Sequence, residues 1–417
     1  MLSNYICALD ISSSKIAAVV AEIKQRRIAN IFFESMSSKG IKKGAIVNSI
    51  DLISSVESIL KNLKAKSNIN IKFIYVNISG ADIVTKHSRA IIPLAERGNK
   101  VITLADIQKV NEQARILGSS LDEEIIHQIA HNYVIDSNNN ILNPLGLYSH
   151  RLEVDLYLIC GKLSFIQSLS RAVNQAGYEI RNLFFSGLVT SLAVFNKDLK
   201  EGLTLLCDIG SDITELLVFK DGILKDVKIL FLGADNLTLQ LAEKLKIPLD
   251  LAEEIKRSHG SIGDYSQMGN DKEILVKQNN IYKPISERSV CEILTPQAKL
   301  ICQDIKNAVE NIVPLGEVNN FVTIGRSVLL EGFLETLENI LGIPVKLGRI
   351  IHPHLISWVN QENTLSGQKY LTYITSLGII CQVLSGQQHN LQPVFQPIRN
   401  PLLKTINKLK EIYQEYF

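Results

Sequence analysis

Two short stretches carry most of the chemistry. Residues 205–222 read LLCDIGSDITELLVFKDG: an apolar run ending on Asp208, a turn of small residues through Gly210 and Ser211, and a second apolar run after Thr214. A carboxylate at the end of a buried strand, followed by small residues at a hairpin tip, suits a metal-bound phosphate. Small side chains let backbone N–H groups approach the phosphate oxygens, and the Asp holds a magnesium ion or its waters. Residues 7–22 repeat the arrangement as CALDISSSKIAAVVAE. Setting Asp10 against Asp208 puts Ile11 on Ile209, Ser12 on Gly210 and Val20 on Val218. Ser12, Ser13 and Ser14 then make the turn, and Lys15 either reaches a phosphate as a point charge or is a solvated hairpin lysine. The duplication predicts two similar α/β halves, each offering one phosphate loop to a cleft between them. The bland alternative is two unrelated hairpins with turn-forming aspartates. The shared Asp-Ile, the equal turn position and the matching apolar tails weigh against it.

Other elements must position these hairpins. A third strand is expected over 28–36, a Gly-punctuated loop over 39–48, a helix over 49–66 and a buried strand over 71–78. From 81 to 161 the pattern changes to a small α+β insert. There Thr103 caps a helix over 104–117, with Asp106 completing a capping box, and strands cover 125–135 and 152–160. Helix, strand and helix follow over 163–177, 179–185 and 186–195. After the second hairpin come a strand over 227–231 and helices over 237–245 and 250–258, broken at Pro248. A polar stretch over 260–280 reads as mobile. A helical region from 286 to 311 is interrupted near Pro296. The remainder reads as a strand over 321–324 stopping at Gly325, a helix over 329–341, a strand over 344–347 and a helix over 370–384. A Gln/Pro-rich linker covers 385–399. Asn400-Pro401 then opens an amphipathic helix with Leu402, Ile406, Leu409, Tyr413, Tyr416 and Phe417 on one face. It is too short and charged to span a bilayer, and its pattern suits the interface of anionic lipids.

A length of 417 residues allows two to four compact units, and an apolar fraction of 46% is ordinary for packed cores. The net charge of +2 argues for no nucleic acid partner. Cysteines at 7, 160, 207, 291, 302 and 381 form no CxxC pair and read as reduced core residues. The eight His show no ligand spacing. The first apolar stretch is read as a strand pair rather than a signal peptide, and no apolar run reaches transmembrane length.

A late strand–Gly–turn–helix, FVTIGRSVLLEG at 321–332, joins the two hairpins to give the layout of the actin-like ATPases. Within them the chain most resembles the bacterial cell-division FtsA family. ALDISSSKIAAVVAE looks like that family's first phosphate motif. Residues 122–144 followed by RLEVD at 151–155 look like its insert. AGYEIRNL looks like the segment before its inter-domain helix, and ADNLTLQLAEKLKIPLDLAEEIKRSHG looks like its nucleotide-facing helical pair. The resemblance implies an α/β, actin-like (ribonuclease H-like, duplicated) fold with an inserted subdomain. Subdomain 1A would cover 1–80 and 162–200, the insert 1C 81–161, 2A 201–232 and 318–384, and 2B 233–317. A linker at 385–399 and a membrane-targeting helix at 400–417 would follow.

The same resemblance implies ATP and Mg2+ as cofactors, with Asp10 and Asp208 in the magnesium shell through water. Glu253 and Lys256 would contact ribose and adenine, although periodicity alone makes them a surface ion pair. Gly325 and Arg326 would lie in the adenosine loop. Arg288, Gln297 and Lys299 would receive the C-terminal peptide of FtsZ. Self-association into filaments, contacts with later division proteins and peripheral attachment to the cytoplasmic face of the inner membrane at the division site complete the expectation. No residue has spacing that marks a water-activating base, so any ATPase is expected to be slow.

The departures from the family pattern concern the loops. Ser12 stands where Gly is usual, Ser211-Asp212-Ile213-Thr214-Glu215 replaces Gly-Gly-Thr-Thr-Asp, and Gly325-Arg326-Ser327 replaces three glycines. Each adds bulk where backbone should approach a ligand, and Asp212 adds a negative charge, so ATP is expected to bind weakly. Gln297 stands where the family often has Arg. The competing readings are an actin-fold small-molecule kinase and a PilM-like membrane scaffold. The insert and terminal helix weigh against the first, the terminal helix against the second.

Overall fold

A computed structural model describes residues 5–386, apart from 26, 96–97, 137, 197, 265–272, 279–280 and 362–364. The linker from 387 on and the expected terminal helix, with Leu402, Ile406, Leu409, Tyr413, Tyr416 and Phe417, lie outside the described residues.

Both hairpins open a sheet of the same topology. In the first half, β1 (Tyr5–Ile11), β2 (Lys15–Lys24) and β3 (Arg27–Ser37) form an antiparallel meander. Helix α1 (Ser49–Ser67) leads into β4 (Phe73–Ile78), which runs parallel to β1. The insert comes next, with β5 (Ile83–Pro93), α2 (Leu104–Leu117), β6 (Glu123–Ile135), β7 (Asn138–Ile141) and β8 (Arg151–Lys162). Helix α3 (Leu163–Gln175), β9 (Glu179–Phe185) and α4 (Ser186–Val194) close the half. The first sheet is ordered β9-β4-β1-β2-β3.

The second half repeats the order. Strands β10 (Leu203–Ile209), β11 (Thr214–Lys220) and β12 (Ile223–Leu230) form the meander. Helices α5 (Ala234–Leu245) and α6 (Leu249–His259), hairpin β13 (Glu273–Gln278) and β14 (Ile281–Ser286), and the long α7 (Glu287–Glu310) follow. Then come β15 (Asn320–Ile324), α8 (Phe333–Leu341), β16 (Val345–Leu347) and α9 (Ile374–Gly386). The sheet order β12-β11-β10-β15-β16 matches the first half strand for strand.

These strands read as near-continuous apolar runs because both faces are covered. One face of the first sheet packs Cys7, Leu9 and Ile74 on α1 and α3 through Leu52, Ile59 and Leu169. The other face shares a central core with the second sheet. There α4 and α9 are sandwiched between Ile6 and Val19 on one side and Leu206, Leu217 and Val322 on the other, through Val189, Ala193, Leu377 and Ile380. The outer face of the second sheet rests on α5, α7 and α8. The six cysteines are free and buried, as the sequence implied.

The insert is an antiparallel sheet, β7-β6-β8-β5, backed by α2. Thr103 and Asp106 form the expected capping box. The docking of this sheet is not encoded in any local motif. His131 Nε2–H donates to Leu224 O at 2.6 Å, the Val227 N–H donates to Tyr157 Oη at 3.0 Å, and Lys225 Nζ donates to His131 O at 3.3 Å. The insert therefore grips β12, the edge strand of the second half, and covers its unpaired edge.

Three local expectations are corrected. The stretch expected to be mobile over 260–280 contains a paired strand, since Glu273 to Gln278 align with Ser286 to Ile281. Helix α7 runs through Pro296 without interruption. Burial of Leu294, Ala298, Ile301 and Ile305 along one face outweighs the single backbone bond that proline removes. The expected helix over 329–341 is a 3₁₀ turn at Arg326–Leu329 followed by α8.

Glu215, on β11, lies where the halves meet. It is 3% exposed, and its Oε1 accepts a hydrogen bond from Ser79 Oγ, just past β4. Burial pushes its carboxyl up to about 8, with Asp208 and Asp10 adding to the rise and the Ser79 bond opposing it. The folded state thus holds a proton that the unfolded chain releases near the ordinary value of 4.5. Stability falls as pH rises from about 4.5 to about 8 and is flat with respect to this group above that. Gln in place of Glu215 keeps the acceptor and removes the ionisation. Urea unfolding should show Glu215→Gln gaining on the parent between pH 5 and pH 8. Parallel pH profiles would contradict this.

Candidate functional site

The cleft between the halves is built around Asp10. This carboxylate ends β1 and is 1% exposed. It accepts hydrogen bonds from Ser12 Oγ at 2.7 Å, Asn77 Nδ2 at 2.8 Å and Lys15 Nζ at 2.8 Å. The turn is closed by the Ser12 N–H donating to Lys15 O at 3.0 Å. Lys15 Nζ also donates to Thr372 O, in the segment leading into α9. Lys15 is therefore neither a free phosphate ligand nor a solvated lysine. It is the counter-charge of Asp10 and ties the first hairpin to the segment before α9.

Asn77 is a functional residue that the sequence reading passed over. Its Oδ1 accepts the Ile11 N–H at 2.7 Å, while its Nδ2 donates to Asp10 and to Ser186 Oγ at 2.9 Å. Ser186 Oγ in turn donates to Ile78 O at 3.0 Å. This chain connects the first phosphate hairpin to the start of α4. A polar residue inside FIYVNI was the available signal, since a buried amide demands partners.

Asp208 ends β10, is half-buried, and faces the same centre. Burial raises its carboxyl to about 6, with Lys15 pulling it down and Asp10 pushing it up. The two aspartates thus share one lysine. Gly325 lies against them with φ +100, and a Cβ there would fall 2.2 Å from Ile209 O and 3.1 Å from Asp208 Oδ1. Only glycine fits this close approach. In the second turn, Gly210 O accepts the Ala234 N–H at 3.1 Å and Ser327 Oγ at 3.0 Å, and Ser211 O accepts the Asp235 N–H at 2.6 Å. Thr214 is fully buried and its hydroxyl donates to Leu232 O at 2.9 Å, so it braces the second half and does not face the cleft.

The remaining expected contacts are divided. Lys256 is buried between α5 and α6, donating to Ala234 O at 3.1 Å and Thr238 Oγ1 at 2.7 Å and pairing with Glu253. Its ammonium fastens the two helices together. Glu253 also accepts from Thr238 Oγ1 at 2.6 Å and keeps part of its surface open. Arg326 begins the 3₁₀ turn after Gly325, and its Nη2 donates to Ser14 Oγ at 3.2 Å. Burial and the nearby Arg257 hold its guanidinium below its ordinary value, while Glu253 and Asp10 oppose that. Ser13 Oγ accepts the Gly44 N–H at 3.2 Å. Asp212, expected to face the phosphates, instead accepts the Lys43 N–H through Oδ2.

Asp10, Ser12, Ser13, Ser14, Lys15, Asp208, Gly210, Ser211, Gly325 and Arg326 therefore converge on one cleft. Arg288, Gln297 and Lys299 lie on α7, away from it. Arg288 and Lys299 share a helix face, whereas Gln297 is turned from both by about half a turn. Among the described residues no group of three His, Cys, Asp or Glu could hold a metal ion by itself. The cleft's donor set is a pair of hard carboxylates with one lysine between them. That set fits a hydrated magnesium ion brought with a polyphosphate, which keeps most of its waters, and does not form a protein-only cage.

Comparison with known proteins agrees with this architecture. A family model described as "Cell division protein FtsA" matches residues 205–374, and one described as "SHS2 domain inserted in FTSA" matches residues 80–160. The chain is 26% identical over 368 residues to the cell division protein FtsA of Borreliella burgdorferi, covering 87% of this chain and 88% of that protein. It is 25% identical over 350 residues to FtsA of Pseudomonas aeruginosa, covering 82% of each. Among solved structures, that of the PilM-PilN type IV pilus biogenesis complex has a similar fold, with TM-score 0.60 at 13% identity over 90% of this chain and 98% of that one. MreB5 of Spiroplasma citri bound to ADP gives TM-score 0.54 at 11% identity over 93% of this chain and 99% of that one. With an actin-like fold, an insert of the matching type and relatives that align along most of its length, the chain belongs to the FtsA cell-division family.

Proposed function

We propose that this chain is an actin-like adaptor of the division machinery, which tethers FtsZ filaments to the cytoplasmic face of the inner membrane and assembles into filaments of its own. The observation that carries this reading is the presence, in one chain, of two matched phosphate hairpins and the FtsA-type insert docked on β12. ATP is the proposed ligand of the cleft. Asp10 and Asp208 would hold its magnesium through water, and the backbone of 12–15 and 210–211 would receive its phosphates. Magnesium there would neutralise phosphate charge beside the two carboxylates. Gly325 leaves room for the adenosine side, with Glu253 on the facing helix. The chain's own residues position and orient the ligand. No residue has a sequence spacing that marks a water-activating base, and on this reading nucleotide acts as a conformational ligand between the halves.

The partner surfaces rest on different observations. Arg288 and Lys299 share a basic face of α7 proposed to receive the C-terminal peptide of FtsZ, leaving Gln297 outside that contact. On the insert, Val101, Leu104, Leu147 and Tyr148 are exposed apolar residues around a short strand pair, which suits self-association or later division proteins. The sequence pattern of 400–417 suits a weak lipid anchor that becomes avid when filaments array many copies.

Cosedimentation with FtsZ on anionic liposomes, with and without Mg-ATP, tests the reading as a whole. Three narrower outcomes are expected. Asp212→Gly removes a negative charge beside the second phosphate hairpin. Titration calorimetry should show it tightening Mg-ATP about tenfold, a change on the order of 1.4 kcal/mol; an unchanged constant contradicts the weakening argument. Leu147→Glu with Tyr148→Glu should impair filament formation or partner recruitment while calorimetric Mg-ATP binding is retained, and normal filaments would refute the insert's role. Leu409→Glu, or removal of 400–417, should release the protein from liposomes with the globular part still folded. Undiminished pelleting would remove the membrane half of the proposal.

A further inference from the structure

Three side chains of the second half reach across the cleft and bond the first. Asp212 Oδ2 accepts the Lys43 N–H, Glu215 Oε1 accepts the hydroxyl of Ser79, and Arg326 Nη2 donates to Ser14 Oγ at 3.2 Å. Asp212 and Glu215 are nearly inaccessible, at 7% and 3% exposed. Their partners form one continuous surface of the first half. The Gly44 N–H donates to Ser13 Oγ at 3.2 Å, and Gly44 packs so closely on Ser79 that a Cβ would fall 2.6 Å from Ser79 O. The loop carrying Lys43 is thus fixed to both the first hairpin and the end of β4.

We propose that Asp212, Glu215 and Arg326 form a built-in latch whose own bonds hold the two halves together across the cleft. The three bonds lie on three sides of the phosphate hairpins: Asp212 at the loop 39–48, Glu215 at the floor beside β4, and Arg326 at the tip of the first hairpin. A cleft bordered by backbone and small residues alone would have no groups long enough to meet across it, and its closure would depend on a ligand that touches both sides. Here the side chains supply that bridging. Two of the bonds involve a charged group, and such bonds are the stronger class. The latch also accounts for Asp212 being turned from the phosphate position: its carboxylate is engaged by the first half's backbone. A closed form maintained in this way would be available to self-association whatever the nucleotide state, and the inference does not rest on ATP being the ligand.

The Lys43 amide is the direct reporter, because its N–H points at Asp212 across the cleft. Hydrogen exchange on the nucleotide-free full chain should show it protected. Asp212→Gly should lower that protection about tenfold or more, and Asp212→Asn, which keeps an acceptor oxygen, should retain an intermediate level. The double variant Asp212→Gly, Arg326→Gly carries only small residues at the two rims. Its strands 203–209 and 214–220 should stay protected while solution scattering gives a larger radius of gyration than the parent without nucleotide. Exchange of Lys43 at the unprotected rate in the parent would overturn the latch. So would a double variant as compact as the parent with the cleft amides equally protected. If the double variant opens and Mg-ATP closes it again, latch and nucleotide reading both stand. If it opens and Mg-ATP has no effect, the latch stands and the nucleotide reading fails.

Discussion

The constraint on which the rest depends is the burial of the Asp10 carboxylate. A carboxylate removed almost entirely from water is tolerable only if its oxygens are hydrogen-bonded and its charge is met. Ser12, Asn77 and Lys15 meet both demands, and each commits a different element. Ser12 fixes the turn, Asn77 fixes β4 beside β1, and Lys15 fixes the hairpin against Thr372, just before α9. Ser186 then carries the network to the start of α4, the helix that leads from one half into the next. The phosphate hairpin is therefore a hub of the fold, and its geometry cannot change without moving the elements that connect the halves.

The charge balance of the cleft follows from the same constraint. Asp10, Asp208 and Glu215 converge there, with Lys15 as the nearest compensating cation. The result is graded: Asp10 is paired, Asp208 is raised to about 6, and Glu215 is raised to about 8 and stays neutral near pH 7. Three ionised carboxylates around one lysine would repel, and neutralising Glu215 relieves this. A divalent cation entering with a phosphate would favour the ionised aspartates and shift the balance toward binding. The phosphate's own negative charge, brought beside Asp10 and Asp208, works against it. Arg326, donated from the opposite wall, is the chain's own contribution of positive charge at that point.

Much of this architecture was legible in the residues, and the division between what was and was not is physical. The two hairpins, the Thr103 cap, the break at Pro248 and the close approach at Gly325 are local features, encoded in residue types a few positions apart. The second sheet's match to the first follows from the duplicated strand–Asp–turn–strand unit. The missed features are long-range or depend on tertiary packing. Asn77 looks like an isolated polar residue until β4 lies beside β1. His131 and Tyr157 acquire their roles only when the insert meets β12. Helix α7 passes Pro296 because a buried face holds it, which propensity does not see. Periodicity reads Glu253 and Lys256 on α6 as a surface ion pair; the two are paired, but Lys256 is buried and its ammonium also bonds Ala234 O and Thr238 Oγ1, a packing that periodicity does not see.

The central core explains why a few cleft contacts can matter so much. Helices α4 and α9 lie between the two sheets and are packed on both, so the halves share a hydrophobic interior at one end and are separate at the other. Motion between them amounts to a small pivot about that shared interior, because packed cores shift between discrete arrangements and do not deform freely. The energy separating open from closed forms is then set mainly by the groups that meet at the free end. A hydrogen bond there is worth about 1 kcal/mol net, and more when one partner is charged. Three or four of them amount to a few kcal/mol, the scale on which a ligand with unequal affinity for the two forms redistributes populations. Under the proposed latch, side chains at 212, 215 and 326 would act on the same equilibrium as a nucleotide bound between the hairpins. Substituting small residues at those positions transfers control of that equilibrium from the chain to its ligand.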